Sequence, residues 1–375
     1  MTNKTIVLAG GGHAHALLLH QLIRKPLPGA QVVMVSPDRY TPYSGMLPGL
    51  IAGHYQPNEM HINLAELCRL AGCEFVQGHA VKLDADNAIL SINGGRGFHY
   101  DLLSINTGSL PQSPPGSGQS DRGMTVIGVK PVKQFLSWLD DLEVQLPVLP
   151  SFALGVLGLG AAGTEVALAL EHRLCQRFSG VSLHLVGAGG LLSGHPLTVQ
   201  QYVREQLGAR HIRLHENVQA SLVPGGLQSG QSKTIFLNAV VLCTSARPDG
   251  WLRGSGLTLD EQGFVSVDNA LRSLSHPNVF AAGDMATLAS QPHPKSGVYA
   301  VRHATVLDVN LRHLLMGKRV IDYKPQRQSL ALLNMADGRA IGSRGAVTVA
   351  GRWVWHWKHW LDQRFMKQFP RGFER

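Results

Sequence analysis

The sequence predicts an α/β protein made of two doubly wound, nucleotide-binding-type domains, followed by a small β-hairpin and amphipathic-helix region. Three observations predict it. A strand–glycine turn–helix–strand unit opens the chain, the same unit recurs from residue 152, and a later strand ends in Gly283-Asp284 ahead of another helix. With 375 residues, 44% hydrophobic and 16% charged, the chain has material for two or three domains with sizeable cores. Wholesale disorder is excluded.

Thr5-Ile6-Val7-Leu8-Ala9 is a β-branched apolar run without polar alternation, as expected of a strand buried on both faces. Gly10-Gly11-Gly12 turns the chain. Leu17, Leu18, Leu22 and Ile23 then fall on one helical stripe, stopped by Pro26, Pro28 and Gly29. Residues 31–35 return as a second strand, completing a βαβ unit of the usual right hand. The second copy has a strand at 152–157, the turn Gly158-Leu159-Gly160-Ala161-Ala162-Gly163, a helix over 164–175 and a returning strand at 181–186. Between the copies, residues 109–123 are rich in Pro, Gly and Ser and read as a loop or crossover. Residues 131–146 read as a helix, and residues 263–284 return to strand patterning. Residues 328–345 suggest a hairpin around Asp337-Gly338. Residues 346–369 suggest a second hairpin around Ala350-Gly351 that runs into an aromatic helix.

The net charge of +9 lies wholly in residues 301–375, which carry 14 Lys+Arg against 5 Asp+Glu. A globally basic nucleic-acid binder is therefore not expected. A local basic face suits anionic lipid. Four cysteines in this length argue against a disulfide scaffold. No apolar run reaches the ~18–20 residues of a membrane-crossing helix, and the N-terminus does not read as a signal peptide.

Gly10-x-Gly12-x-x-His15 sits where a strand meets a helix. Glycines there let the backbone approach a pyrophosphate, and the helix N-terminus aims its free N–H groups at it. The third glycine is replaced by His15. The acid that usually binds the adenosine ribose is replaced by Ser36, with Asp38 following. His13 and His15, at i and i+2, share no helix face, so they read as packing or phosphate contacts, and no metal site is expected. Gly158-x-Gly160-x-x-Gly163 is complete, but its strand-end acid is also missing: Gly187 follows Val186. That leaves two readings, a working dinucleotide site or a retained fold with an altered pocket. Gly283-Asp284 can place a carboxylate on a ribityl hydroxyl and a helix N-terminus near a phosphate.

The whole of residues 4–370 resembles the two-dinucleotide-domain flavoproteins of the pyridine nucleotide-disulfide oxidoreductase superfamily, of the glutathione-reductase-like, Rossmann-like type with three-layer domains. The stretch Tyr40-Thr41-Pro42-Tyr43-Ser44-Gly45-Met46-Leu47-Pro48-Gly49 and the tail resemble one subgroup more narrowly. These are the type II NADH dehydrogenase-like proteins often fused ahead of selenide, water dikinase. The resemblance implies FAD in residues 1–115 with 264–325, NAD(P)H in residues 116–263, and an interface or membrane-associating region in 326–375. It implies that Gly10, Gly12, His13, His15, Ser36, Ser44, Thr107, Gly108, Gly283, Asp284 and Gly297 hold FAD, and that Gly158, Gly160 and Gly163 hold NAD(P)H.

Two residues are candidates for catalysis. Glu165 matches the glutamate that follows this glycine motif in type II NADH dehydrogenases; its alternative is a first-turn acid facing the helix dipole. Lys295, in Pro294-Lys295-Ser296-Gly297, could steady a reduced flavin or a quinone oxyanion; its alternative is an ordinary loop lysine. Cys68 and Cys73 lack the glycine-rich helix start of the redox dithiols and read as core thiols, as do Cys175 and Cys243. Without a dithiol, electrons leave the flavin directly, which favours a quinone-type acceptor or oxygen.

In the tail, Trp353, Trp357, Trp360, Leu361, Phe365 and Phe369 fall on one helical face, with Lys358, Asp362, Gln363 and Lys367 on the other. Such a Trp-rich basic helix suits a bilayer interface; its alternative is a helix packed on its own protein or forming a dimer face. The expectation is a cytoplasmic protein, peripheral on the inner face of the cell membrane, docked through residues 353–369. Its expected partners are a quinone or other small-molecule acceptor and a selenide, water dikinase domain. The rival readings are a sulfide- or selenium-directed flavoprotein and a non-catalytic flavin-binding module.

Overall fold

The computed structural model describes residues 3–116, 123–229, 233–326 and 328–373. Its first sheet has five parallel strands in the order Val279–Ala281, Leu102–Ile105, Lys4–Ala9, Ala30–Ser36 and Glu74–Gln77. Its second sheet is also five-stranded and parallel: Thr125–Gly128, Ala239–Leu242, Phe152–Leu157, Val181–Val186 and Arg213–His215. The central strands are covered on both faces, which is why Ile6, Val7, Leu8 and Ala9 are completely buried and why their sequence shows no alternation. Both expected βαβ units are present, and the α/β class is the one expected.

The helix His13–Arg24 follows the first glycine turn and packs on the helix Gly297–Leu315, 19 residues long. The helix after the second turn is Ala161–Leu170, ending in a π-type turn over Glu171–Cys175. Within the expected 109–123 crossover, Leu110–Pro111 pairs with Ala246–Arg247. Residues 117–122 of that loop lie outside the described residues.

The C-terminal region departs from expectation in two ways. It is a three-stranded antiparallel sheet, Ala331–Asn334, Ala340–Arg344 and Val347–Gly351, ahead of the helix Arg352–Met366. The first hairpin turns around Asp337-Gly338, as expected. The second turns at Gly345, where φ is +57°, and not at Ala350-Gly351. Gly351, at φ +131°, instead swings the chain from strand into helix.

The second departure is the helix orientation. Val354, Lys358, Asp362 and Met366 form its buried stripe. Lys358 and Asp362 were expected on the polar outer face. They face inward because they neutralise one another at 2.8 Å, and because Lys358 Nζ donates to the Gly45 carbonyl at 2.8 Å. The outer face carries Trp353, Trp357 and Trp360, 57%, 36% and 53% exposed, with Arg364 over the Trp360 ring at 5.2 Å.

Candidate functional site

Both glycine turns open onto one cleft of about 1990 Å3. An ordinary small-molecule pocket holds roughly 300–1,000 Å3, so this one has room for two dinucleotides meeting end to end. The C-terminal edges of both parallel sheets supply its rim, the place where open α/β sheets bind ligands.

The first turn is built against the loop after Leu102–Ile105. A Cβ on Gly10 (φ +96°) would fall 2.5 Å from the Asn106 carbonyl oxygen, and one on Gly12 would fall 2.3 Å from Asn106 Oδ1. Only glycine fits, and the bare backbone faces the cleft. Asn106 ties three segments together. Its carbonyl accepts the Gly12 N–H at 3.1 Å, its Oδ1 accepts the His15 N–H at 3.3 Å, and its Nδ2 donates to the Ala282 carbonyl at 2.8 Å. Local sequence reasoning passed over Asn106; the signal available was its place directly before Thr107-Gly108.

His13, Ser36, Ser44, Thr107, Gly108, Gly283, Asp284 and Gly297 all line the cleft, as do Gly10 and Gly12. His15 does not. It is completely buried behind the turn, where Nδ1 donates to the Gly10 carbonyl at 2.7 Å and Nε2 accepts from Ser104 Oγ at 2.8 Å. Burial pushes it down to about 4, against the Gly10 bond, so the ring is neutral at pH 7. His15 therefore braces the turn from inside and cannot touch a phosphate.

Asp284 accepts from Ser109 Oγ at 2.7 Å and pairs with Lys130 at 3.5 Å. Burial pushes its carboxyl up, but Lys130, Ser109 and His13 outweigh it and hold the group below the usual range. It is an ionised acceptor at neutral pH, fit for a ribityl hydroxyl. The adjoining Gly283 N–H donates to His303 Nδ1 at 3.1 Å.

The second turn repeats the geometry with other partners. A Cβ on Gly158 (φ +136°) would meet the Cys243 carbonyl oxygen at 2.3 Å, and one on Gly163 would meet the Gly158 carbonyl oxygen at 2.0 Å. Gly160 has nothing within 4 Å and stands open at the rim. Gly158 and Gly160 line the cleft; Gly163 serves the close packing of helix on strand.

Glu165 lines the same cleft, one turn into that helix, and accepts the Asn334 N–H at 2.7 Å. Burial raises its carboxyl to about 7, with Lys358 and the Asn334 bond pulling the other way and Asp362 reinforcing the rise. Lys295 also lines the cleft, but its Nζ donates to the Ala286 carbonyl and Thr287 Oγ1, both at 2.7 Å, and lies over the Phe264 ring. Burial lowers it to about 8 despite Asp260 and Asp284. Leu361 and Phe365 of the C-terminal helix complete the wall beside Tyr43, whose ring lies 4.5 Å from that of Phe365.

All four cysteines are free. Cys68 and Cys73 do not line the cleft, and burial raises them to about 12 and about 11. Cys243 lines the cleft at the second turn, raised by burial to about 12. These are protonated thiols, not a redox pair beside the first turn. Among the described residues, no three His, Cys, Asp or Glu side chains gather in a metal-binding group.

Two bare-backbone turns opening on one cleft, with an ionised acceptor at the first, define a protein built to hold two dinucleotides. The chain belongs to the pyridine nucleotide-disulphide oxidoreductase family, whose pattern matches residues 4–304. Its cofactors are FAD and NAD(P)H, and the glycine cradles fit both. Among similar proteins, ferroptosis suppressor protein 1 of Taeniopygia guttata is 25% identical over 72% of this chain and 71% of its own. An NADH dehydrogenase-like protein of Mycobacterium tuberculosis is 25% identical over 60% of this chain and 58% of its own. The fold matches the sulfide:quinone oxidoreductase of Aquifex aeolicus with a TM-score of 0.81 at 17% identity, covering 97% of this chain and 91% of that one.

Proposed function

We propose that this oxidoreductase passes electrons from NAD(P)H through FAD to a quinone-type acceptor, in the manner of a type II NADH dehydrogenase and without a redox dithiol. The observation that carries this reading is the cleft wall. It brings no thiol to the first turn; it brings Leu361 and Phe365, an apolar surface suited to a quinone ring, next to Tyr43. When bound, FAD supplies two-electron uptake from the nicotinamide and delivery to the acceptor.

The protein's part is binding, orientation and proton supply. Gly10, Gly12, Ser36, Ser44, Thr107, Gly108, Gly283, Asp284 and Gly297 are the FAD contacts in this reading, and Gly158 and Gly160 the pyridine nucleotide contacts. A quinone reduced by two electrons also takes up two protons. The nicotinamide brings one with its electron pair, and Glu165, half-buried and raised to about 7, is a cleft residue suited to supply the other. Lys295 acts through its charge and by fixing the rim at Ala286 and Thr287. The exposed Trp353, Trp357, Trp360 and Arg364 face rests on an anionic membrane surface, where quinones dissolve. Among the described residues, no helix is long and apolar enough to cross a membrane.

The test is anaerobic mixing of the yellow protein with NADH or NADPH, followed by a soluble quinone. Bleaching of the flavin absorbance, then its return with the quinone, is the expected result. A flavin that stays oxidised with both nucleotides would overturn the reading and leave a sulfide- or selenium-directed flavoprotein or, failing that, the non-catalytic module. Bleaching that oxygen reverses and quinone does not would overturn the acceptor.

A further inference from the structure

The strand-end acid missing from the second nucleotide unit has a physical reason. In a dinucleotide fold that acid hydrogen-bonds the adenosine ribose at the C-terminal edge of the second strand. Here the place is Gly187, directly after Val181–Val186. A Cβ on Gly187 would fall 2.7 Å from Leu159 Cγ and 3.3 Å from the Leu159 nitrogen, inside the glycine turn itself. No acidic side chain fits there without shifting the turn.

The neighbouring strand supplies a carboxylate at the same edge. Arg213–His215 runs parallel to Val181–Val186 with His215 opposite Val186, and the Gly187 N–H donates to the His215 carbonyl at 3.0 Å. The next residue, Glu216, thus stands beside Gly187. Its Oε1 accepts the Leu191 N–H at 2.7 Å, from the loop that follows Gly187. Both its oxygens are gripped by the Arg204 guanidinium of helix Leu197–Ala209. Gly187 and Ala188 of the neighbouring loop line the cleft, as do Val218 and Gln219 just past Glu216 in the chain; the Glu216–Arg204 pair itself stands one layer behind that wall.

We propose that Glu216 and Arg204 together select the pyridine nucleotide at its adenosine ribose, taking NADH over NADPH. The inference rests on reading residues 158–163 as the NAD(P)H turn. A carboxylate fixed at the strand edge accepts hydrogen bonds from ribose hydroxyls and repels a 2′-phosphate. The guanidinium that such a phosphate needs is already committed to that carboxylate. Specificity therefore comes from a repulsive element as well as an attractive one.

The test is calorimetric titration of the FAD-loaded protein with ADP-ribose and with 2′-phospho-ADP-ribose, which reads the ribose subsite without redox chemistry. The wild type is expected to bind ADP-ribose tighter by about tenfold or more. Glu216→Gln keeps an oxygen for the Leu191 N–H while releasing Arg204. It should shift the ratio toward the phosphorylated compound by about tenfold. Glu216→Gln combined with Arg204→Met should lose that gain. A wild type that prefers the phosphorylated compound, or a Glu216→Gln ratio within about twofold of wild type, overturns the selector alone. No binding of either compound overturns the selector together with the nucleotide site. Stopped-flow reduction by NADH and NADPH should rank the same way.

Discussion

At the first glycine turn the third motif position is His15; at the second it is Gly163. The first turn is clamped by a side chain that bridges Gly10 to Ser104 and by Asn106, which reaches on to Ala282. The second needs no clamp, because Gly163 lets helix and strand close to backbone contact, within 2.0 Å of a would-be Cβ. Both turns leave bare backbone at the rim. A histidine can thus stand in for a motif glycine when it adds hydrogen bonds that the closer packing would have made unnecessary.

The sharpest way to break the comparison is at the bare positions. Gly12→Val forces a side chain into Asn106 and should leave the purified protein without bound flavin. Gly160→Ala, with open space around it, should keep the flavin and weaken pyridine nucleotide binding by about tenfold at most. A Gly12→Val protein that purifies yellow would show that the first cradle is not the flavin site.

Next in size is Glu165→Gln, expected to lower quinone turnover by about a hundredfold with flavin content unchanged. The wild-type carboxyl carries its proton up to about pH 7, so turnover should fall as pH rises through that value. The variant's profile should lose this limb; a profile identical to wild type would remove Glu165 from proton supply.

His15→Ala should cost about 2–4 kcal/mol of stability, measured by denaturant unfolding, because it empties a buried site and orphans Ser104 and Gly10. The pH sign follows from burial. The ring is held at about 4 in the folded protein and rises to its ordinary 6.5 when unfolded. Its contribution is therefore complete above pH 6.5 and is lost as pH falls toward 4, by about 3 kcal/mol in all. His15→Asn should flatten that part of the acid limb, and an unchanged slope would refute the assignment. The smallest effect is expected at the far end. Trp357→Ala should change turnover of a soluble quinone by less than about twofold, while vesicle co-sedimentation on anionic lipid falls severalfold.

The strands and both turns were legible in sequence because each depends on local pattern: β-branched runs, glycine spacing, a helix stripe; cleft residues such as Ser44, Thr107, Gly108 and Gly297 came from the family resemblance instead. What was not legible spans the chain. Glu165 bonds Asn334, 169 residues away, and Lys358 bonds Gly45, 313 residues away. Periodicity places charges outward by default, so it put Lys358 and Asp362 on the solvent face. Their mutual pairing and a distant carbonyl turned them in. His15 stayed open between packing and phosphate contact for a related reason. Its motif position suggested phosphate, but its partner Ser104 lies 89 residues on.

The first sheet is also an interrupted one. Its edge strand Val279–Ala281 pairs with Leu102–Ile105, and the entire second sheet lies between them in the chain. A ribosome therefore finishes the inserted sheet before it delivers the strand that closes the earlier one. Until then Leu102–Ile105 waits with an open, apolar hydrogen-bonding edge. The sheet that is begun first is therefore the sheet that receives its last strand after the other is complete.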